Sequence, residues 1–258
     1  MSQPVVYLGP TLSRKEAMAV CDADYRPPAQ RGDVIRAVTD GAKVIGIVDG
    51  LMHQSLAVTH KEILFALDRG TLVLGAASLG ALRAAELARH GMIGVGRIFE
   101  AYRDKTCTSD EVAVSHGPVE LGYPVVSEAM VNVRATVEAA VAARVLSTSA
   151  ADLIAIARSL HFPQRTWPRL IEAAREWGLA VEEIDTFVEW LPTGRVDQKR
   201  LDAIALLQRL SREEDSTLDQ PVERCGFQPT QAFADLYRRV CAEAARPDDL
   251  TATSVSTD

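Results

Sequence analysis

Residues with chemical potential concentrate between Asp49 and His116. "TLVLGA" (Thr71 to Ala76) is an apolar run that ends two residues before Ser78. The stretch "AASLG" (Ala76 to Gly80) then fits a small-x-Ser-x-Gly elbow between a strand and a helix, where small neighbours permit a sharp turn that presents the hydroxyl. A helix start adds unpaired backbone N–H groups and a positive dipole end, which suit an oxyanion or a carboxylate beside Gly80. Serine is also a favoured N-cap, and close strand–helix packing alone demands Gly and Ala, so the hydroxyl has a purely structural reading as well.

Arg83 and Glu86 lie on one face of the same helix. Glu86 falls four residues after Leu82 and seven after Leu79, on the apolar stripe, where a carboxylate is costly unless paired. The two either pair with each other or bind an anionic substrate group. Asp49 directly follows "KVIGIV", a buried strand by its β-branched run, and either lines a cleft or caps the next segment. His53, His60 and His116 are candidate bases or substrate contacts. His60 opens a helix, where the dipole keeps imidazole neutral, as a base requires. His116 ends the strand expected over Glu111 to Gly117 and competes with it. Ser78, one histidine and Asp49 would suffice for acyl-transfer hydrolysis.

Other signals are weaker. "GPTLSR" (Gly9 to Arg14) offers N–H groups at a helix start but lacks the ending of a Walker loop, and "GVG" at Gly94 to Gly96 is too isolated to mark a nucleotide site. The cysteines Cys21, Cys107, Cys225 and Cys241 show no CxxC pair and no zinc-type spacing to histidine, which favours reduced, structural thiols. Cys107, in the polar "DKTCTSDE", is a distant candidate for carrying sulfur.

The elements that must position these residues alternate. "VVYLG", "KVIGIVDG", "TLVLGA" and "EVAVSHG" read as strands. "LSRKEAMAVC", "DVIRAVTDG", "THKEILFALDRG" and "SLGALRAAELARHG" read as helices, two of them opened by capping boxes at Ser13/Glu16 and Thr59/Glu62. "YRPPAQRGD" reads as a loop because paired prolines break helices. Apolar strands alternating with helices predict an α/β fold with a parallel sheet flanked by helices, its sites at the carboxyl ends of the strands. From about Val125 the pattern becomes helical: a long Ala/Val-rich helix, then helices near 149–160, 166–176, 181–190, 197–211 and 230–244, punctuated by Pro163, Pro168, Pro192 and Pro229. The expected division is an α/β core over 1–124, a helical region over 125–246 and a disordered tail over 247–258.

Composition narrows the function classes. The 258-residue chain is 47% hydrophobic and 24% charged, so it can bury a sizeable core without metal or disulfides. A net charge of -7 gives no bulk attraction to nucleic acid or to an anionic membrane. No apolar run approaches about 20 residues, and the opening "MSQPVVYLGP" lacks the features of a signal peptide, so the expected location is cytoplasmic.

Four blocks together, "VIGIVDG", "HKEILFALDRGTLVLGAASLGALRAAEL", "HGMIGVGRIFEAYRD" and "DEVAVSHGP", resemble the TfuA-like family over about Gly9 to Tyr123. Leu79 stands where family members have Met, a volume-conserving change. The resemblance implies a partner role beside a YcaO enzyme, which activates a peptide amide with ATP, in backbone thioamidation of ribosomal peptides. The activity it implies is release of sulfide from a thiocarboxylated, ThiS-like sulfur-carrier protein, with the precursor peptide engaged only indirectly and no cofactor of its own. On this reading Ser78 attacks or positions water, His60 or His116 is the base, Asp49 orients it, and Arg83, Glu86, Gly80 and His53 shape the substrate site. The alternative is a non-catalytic docking protein that brings sulfur donor and peptide to the YcaO enzyme.

Overall fold

The computed structural model describes residues 3–51, 56–121, 123–216 and 226–244. Its centre is a five-stranded parallel sheet in the order β2-β1-β3-β4-β5, formed by β1 (Val5–Tyr7), β2 (Asp24–Arg26), β3 (Val44–Ile47), β4 (Leu72–Ala76) and β5 (Ile93–Val95). Register pairs Tyr7 with Ile47 and Ile47 with Gly75, so β1, β3 and β4 end at one edge. The chain leaves β1 for one sheet edge and later returns to its other side at β3, which makes the β1/β3 boundary the topological switch point.

Side-chain alternation divides the core in two. Val5, Tyr7, Ile45, Ile47 and Val73 face α2 (Asp33–Thr39), α3 (His60–Asp68) and α4 (Leu79–Leu87). Val6, Leu8, Val44, Val48, Leu74 and Ala76 face α1 (Arg14–Met18) and Ala203, Leu206, Leu207 and Leu210 of α10 (Gln198–Ser216). Both faces are therefore covered, as continuous apolar strands require. One cover arrives from a helix more than a hundred residues further along the chain.

Between these parts lie α5 (Arg97–Arg103), α6 (Met130–Ala142), α7 (Ala150–Ser159), α8 (Trp167–Glu176) and α9 (Val181–Gly194), and α11 (Gln231–Ala244) follows α10. Helices α6 to α9 pack around Met130, Val133, Val137, Leu153, Ile156, Leu170, Ile184 and Phe187. Helix α11 lays Phe233, Leu236 and Val240 against Ile35 and Phe65. Among the described residues no helix is long and apolar enough to cross a membrane. The expected disordered tail lies outside the described residues.

Four local expectations change. Glu111 to Gly117 is not a strand: its one ladder contact is an antiparallel bridge from His116 to Val125. Val112 and Val114 have the alternation of a strand, but they pack beside Ile98, Tyr102 and Val131 on helices instead of joining the sheet. Asp24–Arg26, which overlaps the first two residues of the stretch read as loop (Tyr25 to Asp33), forms edge strand β2; the prolines that follow end it, a position edge strands tolerate. Strand β5 and helix α5, not distinguished in the sequence, complete the other edge. Pro192 lies inside α9, in its last turn, where a missing N–H costs only one hydrogen bond.

Helix α10 is locked in rotation by its own polar groups. Asp202 accepts hydrogen bonds from the backbone N–H groups of Arg97 (3.2 Å) and Ile98 (2.8 Å), capping α5 from another element. One turn earlier, Asn132 of α6 accepts from the Lys199 N–H (3.1 Å) and donates to Asp197 (2.9 Å).

Candidate functional site

The turn between β4 and α4 is built to hold Ser78 in place. Ala77 has φ +65°, a left-handed conformation that costs a non-glycine residue energy. The Ser78 N–H donates to the Ala76 carbonyl at 2.7 Å, closing a γ-turn around Ala77. Ser78 adopts neither helical nor extended backbone angles (φ -122°, ψ -124°), and its hydroxyl does not cap the helix that follows. The N-cap reading of Ser78 thus loses its hydrogen bond.

Glycines draw the helix onto the sheet. A Cβ on Gly80 would stand 1.7 Å from the Ile47 carbonyl oxygen, and one on Gly75 would stand 2.1 Å from the Gly80 oxygen. Gly80 is therefore a packing residue between β3 and α4, and it does not line the cleft described next.

Ser78 is 8% exposed, and what it shows opens on a cavity of about 200 Å³. Pro10, Asp49, Gly50, Val112, Ser115, His116, Phe162 and Lys199 are among its walls. The cavity sits at the carboxyl ends of β1, β3 and β4, beside the switch point. Its roof is the 112–116 segment, held by a hydrogen bond from the Ser115 N–H to the Ser127 hydroxyl (2.8 Å) and by the bridge from His116 to Val125.

His116 shares this cavity with Ser78. Its Nδ1 lies 2.9 Å from the Gly117 carbonyl oxygen, which can only accept, so Nδ1 carries a proton and, in the neutral ring, Nε2 is the nitrogen with the lone pair. Asp49 reaches the same cavity but bonds to no histidine among the described residues. Its Oδ2 accepts from the N–H groups of Gly9 (2.9 Å) and Thr11 (3.1 Å), and its Oδ1 from the Thr11 hydroxyl (2.6 Å). The anion held by the "GPTLSR" loop is thus the protein's own carboxylate, and Asp49 positions that loop instead of orienting a base.

His60, Arg83 and Glu86 stand together elsewhere. Glu86 Oε2 lies 2.8 Å from His60 Nε2 and 2.7 Å from Arg83 Nη1, and Arg83 Nε donates to the Val58 carbonyl at 3.0 Å. None of the three lines the Ser78 cavity. Glu86 is paired, as its place on the apolar stripe required, and the group is half open to solvent. His53 lies outside the described residues.

Lys199 was not anticipated. It is 4% exposed, lines the cavity, and donates from Nζ to the Val112 carbonyl at 3.1 Å. Burial pushes its pKa down, while the charges of Asp49 and Asp197 act the other way. A signal existed in the sequence: Lys199 falls on the stripe of Ala203, Leu206, Leu207 and Leu210, the buried face of α10, where an ammonium is out of place.

The cysteines offer less. No disulfide joins those described. The Cys107 thiol, half-buried near Glu111, is pushed up to about 12, chiefly by burial, so little of it is the thiolate that sulfur transfer needs. Among the described residues no group of three or more His, Cys, Asp or Glu side chains could hold a metal ion.

No curated protein matches the chain. Residues 49–166 match the family model described as TfuA-like protein, a segment that includes Asp49, Ser78, His116 and Phe162 of this cleft.

Proposed function

We propose that this protein releases sulfide from a thiocarboxylated, ThiS-like carrier for a YcaO enzyme that thioamidates a peptide backbone. The TfuA-like match links it to YcaO-associated modification in general. The finer reading rests on one observation: the Ser78 hydroxyl, held on a strained turn, and the His116 imidazole, its Nδ1 tied to the Gly117 carbonyl, open on one cavity.

In this reading His116 Nε2 takes the Ser78 proton as Oγ attacks the acyl carbon. The start of α4 stabilises charge that develops on the acyl oxygen. The carbon–sulfur bond then breaks and sulfide leaves as HS⁻ with the proton that His116 held. Water, activated by the same imidazole, hydrolyses the Ser78 ester to a carboxylate and restores the hydroxyl. The precursor peptide takes no part in these steps and meets the YcaO enzyme, not this cleft. The proposed location is the cytoplasm.

Exposed Leu121, Val125 and Val126 lie on the segment that carries His116 and give a carrier protein an apolar surface to rest on. The same surface would serve a protein that only docks. Purified protein mixed with thiocarboxylated carrier, without the YcaO enzyme, separates the two: hydrolysis yields sulfide measurable by methylene-blue formation, and docking alone yields none.

A further inference from the structure

The Ser78–His116 pairing leaves one charged group in the cavity without a task. Among the described residues, no carboxylate makes an ion pair with Lys199. The two whose charges reach it are engaged: Asp49 accepts from Gly9 and Thr11, and Asp197 accepts from Asn132 (2.9 Å) and the Arg200 N–H (3.0 Å). Of its N–H donors, one has the Val112 carbonyl. A lysine ammonium carries three, so two remain for a ligand. A buried cation without a counter-ion is costly and is retained where an anion completes it.

We propose that Lys199 is the anion-holding residue of this cleft, and that it grips the carboxylate or thiocarboxylate group whose carbon Ser78 attacks. The inference deepens the hydrolytic reading and rests on it for the identity of the ligand, though not for the existence of an anion site. Chemistry supports the pairing. A thiocarboxylate spreads its negative charge over oxygen and sulfur and resists a nucleophile. An ammonium in a low-dielectric pocket offsets that charge and the charge that grows on attack. Size agrees: a cavity of about 200 Å³ is smaller than the roughly 300 Å³ at which sites for drug-sized ligands begin, so it suits the end of a chain and not a nucleotide.

The groups facing Lys199 are Asp49 at the end of β3, Asp197 ahead of α10, and His116 in the roof. Burial favours the neutral amine, and an incoming anion favours the charged form, so a bound anion strengthens the hold of Lys199 on its proton.

The test uses the full chain, with acetate as the binding probe and thioacetate as the reacting one. Calorimetric titration of acetate should show saturable binding to the native protein. Lys199→Met removes the buried charge at nearly constant volume. It should weaken acetate binding by about 10- to 100-fold, the worth of a charge-assisted hydrogen bond. It should also raise KM for thioacetate more than it lowers kcat. Native protein that binds no acetate overturns the proposal without need of the variant. So does a folded Lys199→Met protein with native acetate affinity. If Ser78→Ala keeps full sulfide release while Lys199→Met loses acetate, hydrolysis by Ser78 fails and the anion site stands. If Ser78→Ala loses release while Lys199→Met still binds acetate, the anion site fails alone.

Discussion

The two ends of helix α4 carry opposite kinds of polar group. At its start, Ser78 makes no cap and opens on a cavity with a lysine that has no carboxylate partner among the described residues. One to two turns later, Arg83, Glu86 and His60 satisfy one another at hydrogen-bonding distance on a half-exposed surface. Both ends stood out in the sequence because both place polar groups on an apolar helix. The difference is compensation: a charge already paired near water has little left to give a ligand, while a buried group without a carboxylate partner does.

The largest expected effect probes the first end. Ser78→Ala should lower sulfide release from the thiocarboxylated carrier by roughly 10³-fold or more, as loss of a nucleophile does, with an unchanged melting temperature. Release within a few-fold of native would remove Ser78 from the chemistry and leave both ends of α4 structural.

Next comes the scaffold under the serine. Gly80→Ala forces a methyl group onto the Ile47 carbonyl. Such overpacking against backbone should cost about 3 kcal/mol in denaturant unfolding. A neutral result would mean that α4 can move off β3 and that the elbow is not held by packing.

Asp49→Asn tests whether the carboxylate is a loop holder. It weakens three hydrogen bonds to Gly9 and Thr11 and should cost about 2 kcal/mol of stability. A large loss of turnover with native stability would instead return Asp49 to the catalytic group.

The smallest effect belongs to the paired end. His60→Ala and Glu86→Gln should each change stability by less than about 1 kcal/mol, as surface ion pairs do. Sulfide release should stay within roughly 2-fold of native, since neither residue touches the cavity. A loss comparable to that of Ser78→Ala would make His60 the base and move the reacting centre away from His116.

Particular residues show how far the sequence could be read. Strands β1, β3 and β4 were visible because each is a short β-branched or apolar run bounded by glycine or a polar turn. Helices α1 and α3 were visible through their capping boxes, which the structure reproduces in full. Ser78 and Asp49 were found because position at a strand end is local information. Of the two rival histidines, only the three-dimensional structure places His116 at the Ser78 cavity, because the 112–116 segment folds over that cavity while His60 turns to Glu86. The Glu111 to Gly117 misreading has the same origin, for period-2 alternation is met equally by a segment laid across helices.

Sequence alone determined the alternation of elements, the tight Gly/Ala elbow and the helical character of the second half, because spacing, caps and small residues act within a few positions. Tertiary structure decided which histidine shares a cavity with Ser78, which backbone groups Asp49 binds, and that Lys199 lines the same cavity. Those outcomes depend on α10 crossing back over the sheet and on Asp202 and Asn132 fixing its rotation, contacts between residues far apart in the chain that leave no periodic mark in it.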